Sequence, residues 1–206
     1  MGTISLLSLF HDRGKLLAAL AGVTFATTLM LVQIGLYVGF REMSSAIISR
    51  VGGDLWVMPR GVRVIDNSEI LSAGVGALAA SHPCVRHARP LLYGFSTVRR
   101  QSGSRIFVSV VGFEPDPRRV FPWSLAQGLP GDLHAPGRIS VDALELRKLQ
   151  IDGAPLGQGL DFDGAQVHIA AVTQGIRSFT LNPLLFCELP TARRILGVAE
   201  ERVSYW

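Results

Sequence analysis

Residues 16–40 read LLAALAGVTFATTLMLVQIGLYVGF, a run without one charged side chain, whereas everything after Arg50 carries charge at ordinary density. The hydrocarbon core of a bilayer is about 30 Å thick, and a helix rising about 1.5 Å per residue needs roughly 20 apolar residues to cross it with its backbone bonded internally. The run is long enough to span with some tilt. A cleaved signal peptide would carry an apolar stretch of only about 7–15 residues with a small-x-small site behind it. Here Arg41, Glu42 and the amphipathic SSAIISRV follow instead. A core helix apolar all round would need a large domain wrapped about it, and the rest of the chain is patterned to make its own core.

The chain has 206 residues, 48% hydrophobic and 17% charged, which leaves room for one domain beyond the span. The organisation that follows is an interfacial segment over 1–15, a transmembrane helix over 16–40, its extension over 41–50, and an extramembrane domain over 51–206. The net charge of +4 is spread over scattered arginines, which suits a surface beside anionic lipid and gives no tract for nucleic acid. Arg13 and Lys15 precede the span and Arg41 and Arg50 follow it, so charge alone does not orient it. Within the span Ala18, Gly22 and Ala26 recur at four-residue spacing and Gly35 and Gly39 form a G-x-x-x-G, two small-residue faces for helix contacts; Gln33 adds a polar group. Cys84 and Cys187 make an even pair that forms a disulfide if the domain faces an oxidising compartment, or else two separate buried thiols.

The domain is expected to be α+β with antiparallel hairpins. DLWVM (54–58) reads as a strand closed by Pro59, and Asp66 or Asn67 as the cap of a helix reaching Ser81. Residues 85–99 and 105–113 make a hairpin about QSGS, the second strand apolar on both faces and therefore central. Residues 114–137 are a Pro- and Gly-rich excursion suited to a flap or a partner surface. A strand over 138–141 leads to a helix from Asp142 to Gln150, and 160–162 with 165–172 flank an Asp163-Gly164 turn. Residues 184–187 give a strand, Pro190 to Gly197 a short helix, and 203–206 a last strand.

No sequence carries the G-x-x-x-x-G-K-[ST] phosphate loop, H-E-x-x-H, C-x-x-C or G-x-S-x-G. His11, His82, His87, His134 and His168 lack ligand spacing. Asp161 and Asp163 read as turn formers and Arg99, Arg100 and Arg105 as a solvated turn, or a face for an acidic partner. No catalytic, cofactor or metal residues are assigned, and the chain is expected not to be an enzyme.

The order of the pieces is more specific than any one of them. KLLAALAGVTFATTLMLVQIGLYVGF, GGDLWVMPRG, RPLLYGFSTVRR with RIFVSVVGFEPD, RISVDALELRKL and DGAQVHIAAVTQGIRSF, in that sequence, resemble the N-terminal half of ABC exporter permeases of the DevC type, related to the MacB and FtsX permeases. The resemblance implies a bacterial inner-membrane protein with a cytoplasmic N-terminus, a periplasmic domain over 41–206 and three further spans. It also implies a homodimer of permeases, a separate ABC ATPase subunit, an HlyD-like membrane-fusion adaptor and, through that, an outer-membrane channel. The sequence stops at Val203-Ser-Tyr-Trp206, which reads as a fragment or truncation because a strand needs ladder partners. The alternative is a single-span anchored binding or sensor domain that works as it stands.

Overall fold

The structure is a computed structural model and describes residues 13–65, 69–116, 120–178 and 180–206. Two compact units divide it, Met1–Glu42 and Met43–Trp206. The expected cap at Asp66 or Asn67 and nearly all of the 1–15 segment lie outside the described residues.

Helix α1 (Arg13–Val51) contains the whole uncharged run, and its apolar window is entirely unburied in the structure. Leu17, Phe25, Leu31 and Leu36 are all exposed. Thr27 answers its own hydroxyl by donating to the Val23 carbonyl at 2.8 Å, as a hydroxyl in lipid must. It is the one described helix long and apolar enough to cross a membrane.

The second unit is built on a mixed sheet. Its strands are β2 (Leu91–Arg99), β3 (Arg105–Phe113), β4 (Leu125–Gln127), β5 (Arg138–Asp142), β6 (Gly159–Phe162), β7 (Ala165–Thr173) and β8 (Leu184–Glu188), in the order β4-β7-β5-β8-β3-β2-β6. Because β6 pairs with both β7 and β2, the sheet curls back on itself. β3 with β8 and β5 with β7 are parallel, and the remaining pairs antiparallel. A separate two-stranded ribbon joins β1 (Leu71–Ser72) to β9 (Arg202–Val203).

Residues alternating along the strands make two cores. Val98, Val108, Val110, Ile139, Val141, Val167, Ile169 and Leu185 fill the inner face, together with helix α3 (Leu189–Leu196). That helix packs tightly on the β2–β3 pair: a Cβ at Gly112 would lie 2.3 Å from the Ala192 Cβ, and one at Gly94 2.9 Å from Leu196. Only glycine lets the helix come so close. The outer face buries Leu91, Tyr93, Val111, Phe113 and Phe186 beneath Ile47, Trp56, Phe121, Trp123 and Tyr205.

Several expected elements take another form. DLWVM is not a strand: only Val57 pairs, exchanging backbone bonds with Trp206 at 2.7 and 3.1 Å, while Leu55 is 80% exposed. Helix α2 is Ala73–Ala80, shorter than expected, because Leu71 and Ser72 pair with β9 instead. Residues 143–150 form successive turns rather than a helix. The buried Asp142 carboxylate accepts from Leu144 N at 3.0 Å but also from Thr173 Oγ1 and Ile176 N, so it ties a loop to β7 instead of launching a helix. The β2–β3 hairpin, the interior placement of β3, the β6–β7 hairpin, β8 and α3 all form, with Asp163 and Gly164 at φ 48° and 106° and Gly197 closing α3 at φ 64°.

Candidate partner surface

The small residues of α1 make two stripes. At about 100° per residue, Ala18, Gly22 and Ala26 centre roughly 120° around the helix from Gly35 and Gly39. A Cβ placed at Gly22, Gly35 or Gly39 meets nothing within 4 Å, so among the described residues both stripes are open.

The described residues of the excursion after β3 are fastened to the domain. Arg89 donates to the Pro115 carbonyl at 2.7 Å and pairs with Asp116. Phe121 and Trp123 meet Phe186 edge to face at 5.2 and 5.6 Å, and the Arg50 guanidinium lies 6.0 Å over the Trp123 ring. The Asp132 carboxylate accepts from Leu129 N at 2.7 Å and opens a 3-10 turn (Pro130–His134) whose Leu133 is buried. His134 Nδ1 meets Glu188 Oε1 at 2.7 Å. Beside this turn lies a shallow groove of about 390 Å³ bounded by Asp132, Ala135, Arg138, Leu156 and Ala170. Val120 and Leu129 are exposed on the excursion.

The two hairpin tips meet. Arg105 pairs with Asp163 at 2.8 Å, and Arg99 stands 3.9 Å from Asp161 where β2 and β6 join. Asp161 also accepts from Gly164 N at 3.1 Å, the turn-forming role its spacing suggested. The arginines are thus partnered within the chain, which the sequence did not disclose, since the two tips are separated by more than fifty residues.

The cysteines are not joined. Both are free: Cys84 is exposed after α2, and Cys187 is fully buried in β8 between β3 and β5. Burial, with the Glu188 carboxylate beside it, pushes the Cys187 thiol far above its ordinary range and holds it neutral. Among the described residues no His, Cys, Asp and Glu gather into a metal-binding group.

A family model for the MacB-like periplasmic core domain matches residues 16–205, and the chain belongs to that family. It is therefore the N-terminal part of a MacB-like permease, a periplasmic-type domain of an ABC transporter permease with one candidate span before it. Its fold is similar to that of the periplasmic region of MacB from Actinobacillus actinomycetemcomitans, with 13% identity, 73% of this chain and 70% of that one covered, and a TM-score of 0.52. It is also similar to the extracellular domain of the noncanonic ABC-type transporter YknZ from Gram-positive bacteria, with 13% identity, 66% of this chain and 71% of that one covered, and a TM-score of 0.50. No curated protein matches the chain.

Proposed function

We propose that the chain is the N-terminal part of a DevC-type exporter permease, a non-catalytic subunit that couples a separate ATPase to a periplasmic domain. The observation that carries this reading is the union of an uncharged spanning run with a MacB-like domain in one polypeptide. In it, residues 16–40 anchor the protein in the inner membrane with the N-terminus cytoplasmic and residues 41–206 periplasmic. The small faces at Ala18, Gly22, Ala26, Gly35 and Gly39 receive neighbouring helices. The excursion from 114 to 137 presents the surface for an HlyD-like adaptor, with an outer-membrane channel reached through it. Two permeases pair.

The full-length protein co-expressed with its host's ABC ATPase subunits is expected to co-purify with one of them in detergent, and failure to associate with any overturns the reading. Orientation has its own readout. In intact cells, a membrane-impermeant maleimide is expected to label Cys84 and spare Cys187, whose buried thiol stays neutral; protection of Cys84 until lysis would place the domain on the other side.

A further inference from the structure

The groove beside the 3-10 turn carries one cation that the chain leaves unanswered. It lies between that turn and the loop before β6, with Arg138, Leu156 and Ala170 among its lining. β7 bulges there: Ile139 pairs with Ile169 and Ser140 with Ala171, which leaves Ala170 without a partner in β5 and bends the strand. Arg138 is half-buried, and among the described residues its guanidinium meets no carboxylate and no carbonyl. By contrast Arg89, Arg99 and Arg105 each have a carboxylate, and Arg100 and Arg194 each have a carbonyl. Asp132 also lines the groove, but its carboxylate accepts from the Leu129 amide at 2.7 Å and forms no ion pair with Arg138. Leu129, just before the turn, and Leu156 stand 68% and 44% exposed.

We infer that the groove receives an acidic side chain of a partner protein, an aspartate or glutamate set among apolar residues, with Arg138 as the point that holds it. Its volume of about 390 Å³ is at the low end of the range that small ligands fill, but such pockets bury about 70–90% of the ligand. A shallow groove leaves a free ligand bare on one side. A side chain carried on a protein face needs cover from one side only, because its own surroundings supply the rest. Charge selects the carboxylate: a guanidinium partly out of water and without a counter-ion takes one through two parallel N–H···O bonds, and the partial desolvation strengthens both. The exposed Leu129 and Leu156 favour apolar neighbours for it. The inference rests on the adaptor surface proposed above for residues 114–137, to which the turn belongs, and names the chemical group by which the adaptor is held.

The test titrates the full-length protein, held in phosphatidylcholine nanodiscs, with its host's HlyD-like adaptor. Arg138→Glu is expected to weaken binding about tenfold or more, because it sets a like charge against the incoming carboxylate. Arg138→Lys keeps the charge without the fork and should fall between that variant and the wild type. Leu156→Asp is expected to weaken binding in the same direction, and it and R138K carry the result if R138E fails to fold. Leu78→Asp, at a position 75% exposed on α2, serves as control and should stay within about twofold of the wild type. Wild-type binding that Arg138→Glu and Leu156→Asp leave within about twofold overturns the anchor and leaves the adaptor reading standing; no binding by the wild type overturns both. A loss with R138E that appears only when anionic lipid is added to the disc overturns the side-chain anchor, since Arg138 would then be meeting headgroups.

Discussion

The inner and outer faces of the curled sheet are made by the same strands and are closed to very different degrees. On the inner face Val98, Val108, Val110 and Leu185 are wholly buried, because the curl and α3 shut it on every side. On the outer face Tyr93, Val111 and Ser109 are just as buried, yet Phe95, one step beyond Tyr93 on that face, and Phe107, one step beyond Ser109, stand in the open. Burial here is decided by what lies above the strand and not by the strand. Trp56, Phe121, Trp123 and Tyr205 cover the base of the hairpin and reach no further. A surface phenylalanine pair on an otherwise closed sheet marks the place where the domain's own packing ends.

The contrast can be broken from the helix side at Gly112. An alanine there would bring its Cβ to 2.3 Å from that of Ala192, and overpacking of this kind costs about 1–3 kcal/mol. Gly112→Ala is expected to lower the unfolding free energy of the detergent-solubilised protein by that amount, read from a denaturant titration, and Ala192→Gly in the same chain to restore much of it. A neutral Gly112→Ala would show that α3 does not seal the inner face. The largest loss is expected from Leu185→Ala, about 2–5 kcal/mol by cavity formation if the pocket cannot collapse. Phe107→Ala should stay within about 0.5 kcal/mol in the dispersed monomer. Equal losses at the two positions would erase the distinction between the faces.

Much of the domain was legible because its signals are local. The Asp163-Gly164 turn, the QSGS hairpin, and Pro190 with Gly197 around α3 each declare themselves within a few residues. The misreadings share a cause, which is pairing across long separations. Residues 202–206 claim Leu71, Ser72, Leu91 and Val57, and Ser204 exchanges side-chain bonds with Tyr93 N and O at 3.0 Å. This end segment shortens α2 and leaves DLWVM with a single paired residue. Asp142 likewise looks like a helix cap until Thr173 and Ile176 are brought to it. The candidate surface was legible only in part. Apolar residues on both faces of β3 correctly implied an interior strand, but alternation cannot say that cover over the outer face stops before Phe107.

The weakest feature separating the two faces is the ion pair at the hairpin tips. Arg105 and Asp163 are 2.8 Å apart with side chains 55% and 51% exposed. Solvent screening at that exposure limits such a pair to about 0.2–1 kcal/mol. Asp163→Asn keeps a residue tolerant of the left-handed backbone found there and removes only the charge. A double-mutant cycle with Arg105→Gln is therefore expected to give a coupling near the bottom of that range at low salt and none at about 1 M, where the Debye length falls to about 3 Å. Asp161 behaves differently, since it stands 3.9 Å from Arg99 and also holds the Gly164 amide, so Asp161→Ala should lose stability that salt does not remove. A salt-resistant coupling between Arg105 and Asp163 instead would mean that the tip is shielded from water, which on this bare face requires a partner lying over it.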